Sequence, residues 1–167
     1  KKIIKNHRQV KFDFLFESAG PGCTYVLKRN FFLELQSFIK TNWNLIQPIN
    51  HWDWLVYAYA RSKEKKWEID EQSTMIYVQH ANNDIGANVS LKGLIKRLKM
   101  LFSKYWFKQS VLIITALGIK NEPFCREFID LNKRSFLHLA KNARHCRRKL
   151  FDKFVFFNVC VLISIFL

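Results

Sequence analysis

Glycine and proline are scarce in this 167-residue chain, at five and three copies, and its two methionines stand at Met75 and Met100. With 49% hydrophobic residues, such a composition excludes a disordered polar chain and points to one folded domain with an appendage. Cys23, Cys125, Cys146 and Cys160 form no C-x-x-C pair. A zinc ribbon or finger is therefore not expected, and the cysteines read as reduced cytosolic thiols. Neither a G-x-G-x-x-G loop nor a phosphate-binding loop with its lysine is present. Internal repeats and low-complexity tracts are missing too. The chain opens on Lys1, and KKIIKNHRQVKF has a basic patch with no long apolar segment behind it, which excludes a signal peptide. Lacking an initiating methionine, it reads as part of something longer on its N-terminal side.

Acidic residues are the other shortage. Residues 1–84 carry 12 Lys/Arg against 9 Asp/Glu, whereas residues 85–167 carry 16 against 4, so most of the net charge of +15 lies in the second half. Between Asp84 and Glu122 there is no carboxylate at all. An anionic partner is implied, either lipid headgroups or nucleic acid. The aromatics lie within apolar runs rather than between the basic residues, and zinc-finger, helix-turn-helix and RNP-like patterns are absent. That makes nucleic acid the weaker of the two.

The expected elements alternate in type. Val10–Glu17 places Phe12, Phe14 and Phe16 on one face of a strand, and Ser18–Gly22 breaks it before a second apolar strand at Cys23–Leu27. Asn30 is a candidate cap for a helix from Phe31 to about Lys40, with Phe31, Leu35, Phe38 and Ile39 on one side. Asn50 is a candidate cap for a second helix, from about His51 to Ser62, with Asp53 three residues on as its acidic partner. Short strands at Trp67–Asp70 and Thr74–His80 follow, then a loop from Ala81 to Asn88. From Ser90 the pattern is that of a basic amphipathic helix with Leu91, Leu94, Leu98, Leu101, Phe102 and Tyr105 on one stripe. Further helices cover Val111–Leu117 and, with interruptions, Phe124–Lys149. The last 14 residues, Phe154–Leu167, are apolar and follow the cluster Arg144, Arg147, Arg148 and Lys149. As a helix they would reach roughly 21 Å, short of a hydrocarbon core of about 30 Å. An interfacial or re-entrant segment, or a span cut off by the end of the chain, fits them best. Together with the lysine-rich helix they read as a membrane-surface signature, the bland alternative being a helix packed on its own domain with a solvated lysine face.

Asp53 stands out for chemistry. A carboxylate in the first turn of a helix sits at the positive end of the dipole, and one facing a cleft can take a proton from a hydroxyl nucleophile. Spacing alone favours a plain cap. His51 and His80 read as satisfied core or loop histidines. Trp52 and Trp54 are candidates for a stacking platform, although residues two apart on a helix point to different sides, which sends at least one to the core. The Gly20-Pro21-Gly22 turn allows close approach of backbone to a ligand, or is simply a turn.

In order, FESAGPGCTYVL, HWDWLVYAYAR, KWEID and YVQHANNDIGAN resemble the C-terminal half of bacterial family 2 glycosyltransferases, of the rhamnosyltransferase type that builds O-antigen and surface polysaccharide. The resemblance covers about residues 10–108. It implies an α/β chain, an incomplete GT-A fold over residues 1–89 followed by basic amphipathic and apolar helices over residues 90–167. It further implies an inverting transfer from a nucleotide sugar to a lipid-linked or polysaccharide acceptor, with Asp53 as the general base. Glu17, Gly20, Gly22, Trp52 and Trp54 would lie toward the acceptor, and Gln79, His80 and Asn83 toward the donor diphosphate. The chain departs from the family pattern where Trp52 separates His51 from Asp53 and where Val78 replaces an arginine. It also lacks the D-x-D carboxylates that hold a divalent cation, Mg²⁺ or Mn²⁺, in the complete enzyme. This chain alone is thus expected to bind no metal and to be inactive, at the cytoplasmic face of the bacterial inner membrane. The rival expectation is a non-catalytic, basic membrane-binding remnant.

Overall fold

The computed structural model describes residues 5–72 and 103–167. The expected strand at 74–80, the loop at 81–88, the start of the lysine-rich helix at Ser90 and the candidate residues Gln79, His80 and Asn83 lie outside the described residues. Within them the chain forms two single-turn 3-10 segments, Asp13–Leu15 and Gly22–Thr24, and eight α-helices. In chain order these are α1 (Arg29–Thr41), α2 (Trp43–Ile46), α3 (Trp52–Ser62), α4 (Tyr105–Ala116), α5 (Pro123–Phe128), α6 (Lys133–Lys141), α7 (Ala143–Cys146) and α8 (Leu150–Ile165).

The α/β expectation is corrected for these residues, because no strand occurs among them. A strand needs a partner ladder, and Val10–Glu17 instead uses its alternating phenylalanines as separate plugs. The Phe12 ring stacks on Phe124 with centroids 3.8 Å apart, while Phe16 meets Phe128 and Phe156. Between them Asp13 turns inward to a cluster of cations, which a flat strand with its phenylalanines on the other face would not allow. The second expected strand becomes the 3-10 turn at Gly22–Thr24, held by the Thr24 hydroxyl donating to the Pro21 carbonyl at 2.7 Å. Trp67–Asp70 has no regular structure and is tied down by the Gln9 side-chain amide, which donates to the Trp67 carbonyl at 2.7 Å.

The two N-terminal helices match their expected spans within one or two residues, but neither uses the expected cap. Lys28 precedes α1 and His51 precedes α3, both without a side-chain capping bond. Asn50 faces α4 instead: its backbone N–H donates to Gln109 Oε1 at 2.9 Å and its side-chain amide to the Tyr105 hydroxyl at 3.2 Å. A genuine asparagine cap occurs at Asn132, whose Oδ1 accepts the Ser135 N–H at 2.9 Å and starts α6.

The core has two parts, and α4 faces both. Ile113 and Ala116 pack with Ile46, Ile49, Trp54, Leu55 and Ala58 on one side. Phe107 and Ile114 pack on the other with Leu15 and Phe16 and with the inner sides of α5 to α8, among them Phe128, Phe136, Leu139 and Cys160. Residues from both sides of position 90 therefore share one core. α8 inserts Phe156, Cys160 and Ile163, packs Val159 and Val161 against the same core, and leaves Leu150, Phe151, Phe154, Val155, Phe157, Leu162 and Ile165 exposed.

Candidate functional site

The start of α3 gathers the residues that matter. Asp53 is in the first turn, half-buried, and its Oδ1 accepts the Trp54 backbone N–H at 2.8 Å. That bond fixes the carboxylate against its own helix. The glycine turn closes over it: a Cβ placed on Gly22 would sit 3.2 Å from the Asp53 Cβ, whereas one on Gly20 would meet only Thr24 Oγ1 at 4.0 Å. The Tyr25 hydroxyl lies 3.0 Å from the Gly20 carbonyl and 3.3 Å from the Asp53 carbonyl, linking the turn to the helix. Burial, and then the Asp53 charge, push that phenol well above its ordinary range, so it stays a neutral donor.

His51 forms the other flank. Its Nε2 is 3.2 Å from the Tyr105 hydroxyl, and its ring stacks on Trp106 at 4.9 Å. Burial lowers the imidazole pKa, only partly offset by Asp53, so the ring is neutral at pH 7. With Asn50 donating to the tyrosine oxygen, the Tyr105 proton is free to point at Nε2. Asn50, Tyr105 and His51 thus make a polar chain beside the carboxylate.

The two tryptophans divide as helix geometry requires. Trp54 is buried, with its indole N–H donating to the Phe14 carbonyl at 2.7 Å. Trp52 is 41% exposed and lies beside Trp43, which is 50% exposed. Glu17 is not turned to solvent. Its carboxylate accepts the Arg148 backbone N–H at 2.7 Å and pairs with the Arg148 guanidinium at 3.4 Å. Of the residues expected to face the acceptor, Gly22 lies against Asp53 at the surface and Trp52 is exposed, while Glu17, Gly20 and Trp54 are buried.

Two groups went unread in the sequence. Tyr105 falls on the apolar stripe of the amphipathic pattern, which gives no hint that its hydroxyl reaches His51. Asp13 accepts from the Tyr57 hydroxyl at 2.7 Å and from Arg61 at 2.8 Å, and lies 3.5 Å from Arg148 Nε. Burial raises its carboxyl pKa, while the tyrosine bond and the guanidiniums pull it back. A lone acid in the phenylalanine-rich run 10–16 was the available signal. Among the described residues no group of three or more His, Cys, Asp or Glu could hold a metal ion.

Comparison with known proteins gives one informative match. The chain is 38% identical over 164 residues, 98% of its length, to a dTDP-rhamnosyl transferase, RfbG, of Shigella flexneri. The similarity to that rhamnosyl transferase thus runs along nearly the whole chain. The chain spans 56% of that relative, about half its length, so the relative is considerably the longer of the two. No protein-family model and no solved structure matches the chain.

Proposed function

We propose that this rhamnosyltransferase-like chain is the acceptor-side part of an inverting, GT-A-type glycosyltransferase that moves a deoxysugar from a dTDP-linked donor to a growing surface glycan of the O-antigen kind. The 38% identity along nearly the whole chain carries the reading, and the half-buried carboxylate at the start of α3 supports it. In the proposed step the acceptor hydroxyl gives its proton to Asp53 as its oxygen attacks the anomeric carbon. The bond to the diphosphate breaks on the opposite face, and the nucleoside diphosphate leaves with the electron pair. Gly22 gives the acceptor room beside Asp53, and the Asn50–Tyr105–His51 chain offers further hydrogen-bonding groups on the other flank. The described residues hold no cluster of His, Cys, Asp or Glu that fits a divalent cation. A Mg²⁺ or Mn²⁺ site and the donor pocket are assigned to the remaining half of the parent enzyme.

The proposed location is the inner face of the bacterial inner membrane, where a lipid-linked acceptor would be met. No helix among the described residues is long and apolar enough to cross a membrane. Support for surface attachment comes from α8, which exposes Leu150, Phe151, Phe154, Val155, Leu162 and Ile165 next to the exposed cations Arg144 and Lys149. The test is transfer of labelled rhamnose from dTDP-rhamnose into lipid-extractable glycan by the parent enzyme. Asp53→Asn should lower kcat by at least a hundredfold with the fold intact by circular dichroism. Undiminished transfer by Asp53→Asn would remove Asp53 from the chemistry, and liposome binding with no transfer by the wild-type parent would favour the remnant.

A further inference from the structure

Of the five tryptophans, three are occupied inside the fold. Trp54 is hydrogen-bonded to Phe14, Trp67 lies edge-on between Tyr25 and Tyr57, and Trp106 stacks on His51. Trp43 and Trp52 are different. They come from separate helices, α2 and α3, yet their rings lie 6.1 Å apart and only 32° from parallel. Both are about half exposed. Two large indoles left about half in water side by side, one of them adjacent in sequence to the half-buried Asp53, are not accounted for by packing.

The charge of the segment that carries them narrows what they could hold. The chain has 28 Lys/Arg, yet the 20 residues 41–60, which contain both indoles, have none, and their sole charged side chain is Asp53. An anionic nucleotide or an anionic lipid surface would find no cation on this segment. The same segment exposes Asn44, Gln47 and Asn50, which carry amide groups suited to hydroxyls. A neutral ligand with one apolar face and a rim of hydroxyls fits both facts, and a pyranose ring is such a ligand.

We propose that Trp43 and Trp52 form a stacking platform for a neutral sugar ring of the acceptor, seating it so that its hydroxyl falls toward Asp53. The proposal rests on the glycosyltransferase reading for the identity of the ligand, but the platform binds sugar whether or not transfer occurs. The indoles supply the apolar contact and orientation, and Asp53 takes no part in holding the ring.

The chain labelled with 5-fluorotryptophan gives a direct readout by ¹⁹F NMR, with each resonance assigned by a single Trp→Phe change. Titration with the methyl glycosides of rhamnose, glucose, galactose and N-acetylglucosamine should shift the Trp43 and Trp52 resonances and leave those of Trp54, Trp67 and Trp106 in place. Trp52→Ala and Trp43→Ala should each weaken sugar binding at least tenfold, and Trp52→Phe should keep part of it. In the parent enzyme the same alanine variants should raise the acceptor KM tenfold or more while largely sparing kcat. Sugar shifts at the two indoles without any transfer by the parent would uphold the platform and sink the glycosyltransferase reading. Transfer with an unchanged acceptor KM in both alanine variants would do the reverse. The platform also fails if none of the four glycosides shifts either resonance, or if the two resonances respond only to protein concentration, which would mark a contact between copies of the chain.

Discussion

Replacing Arg148 with methionine tests the buried charge network that underlies the site. The Arg148 side chain is 1% exposed. It lies 3.5 Å from Asp13 through Nε and 3.4 Å from Glu17 through Nη2, donates to the Ser18 carbonyl, and places its guanidinium over the Tyr57 ring. Methionine fills similar volume, so little cavity is made. What is lost is the cation between two buried acids, one of which, Asp13, is fully enclosed. Removing one partner of such a pair costs about 3–5 kcal/mol. Urea unfolding of Arg148→Met, followed by tryptophan fluorescence, should show a loss in that range. Asp13→Asn in the same background should recover part of it, giving a coupling of about 1.5 kcal/mol or more, within the range found for residues in one network. Additivity within about 0.5 kcal/mol would refute the reasoning. It would mean that Asp13 keeps its proton in the folded chain and presents no buried anion for Arg148 to pair with.

Gly22→Ala should lower transfer by the parent enzyme at least tenfold while costing only about 1 kcal/mol of stability, because the new methyl forces Asp53 aside by a few tenths of an ångström. Gly20→Ala, with no such neighbour, should leave kcat within twofold, and equal effects from the two would dissociate the turn from the carboxylate. His51 should titrate below its ordinary value of about 6.5 in the folded chain. The unfolded chain then binds the extra proton first, so His51 contributes stability that is present above about pH 6.5 and is lost as pH falls toward the depressed folded pKa. His51→Gln should flatten that part of the stability profile, and an NMR titration midpoint at or above 6.5 would overturn the assignment. Phe151→Ser with Phe154→Ser, both on the open face of α8, should reduce binding to vesicles containing anionic phosphatidylglycerol at least tenfold and move the urea midpoint little. Unchanged vesicle binding would remove α8 from the membrane contact.

The helices were legible where the apolar period was clean. Phe31, Leu35, Phe38 and Ile39 recur at helical steps, and α1 spans them, with Phe38 stacked on Tyr59. The segment 10–17 misled because period-two phenylalanines are equally what a turn needs to plug one core from several angles. No local pattern separates the two; the deciding partners, Phe124 and Phe156, lie more than 100 residues away. The basic cluster before α8 was read too uniformly. Arg148 is buried between Asp13 and Glu17, and Arg147 is half-buried and donates to the Phe16 carbonyl at 2.7 Å, which leaves Arg144 and Lys149 exposed. Asp53 and Gly22 stand out through the family resemblance, spacing alone giving a cap and a turn, and the fold sets them side by side, while the hydrogen-bonded chain through Tyr105 depends on how α4 meets His51.

The C-terminal region also contributes to the scaffold around the start of α3. Asp53 is held by the Trp54 N–H, and the Trp54 indole is held by the Phe14 carbonyl. Phe14 is next to Asp13, which binds Arg61 on α3 itself and approaches Arg148 just before α8. Contacts therefore run from the carboxylate through Trp54 and the Asp13–Phe14 step to the arginine that precedes the apolar helix. On its inner side α8 supplies Phe156, Cys160 and Ile163 to the same core that seats Phe16. Burying side chains of this size contributes about 1.5–3 kcal/mol for the largest of them, a substantial share of a margin of about 5–15 kcal/mol. A segment that served only to attach the protein to a surface would not need these inward contacts. The helix has one face built into the core that seats Phe16 and another left largely open.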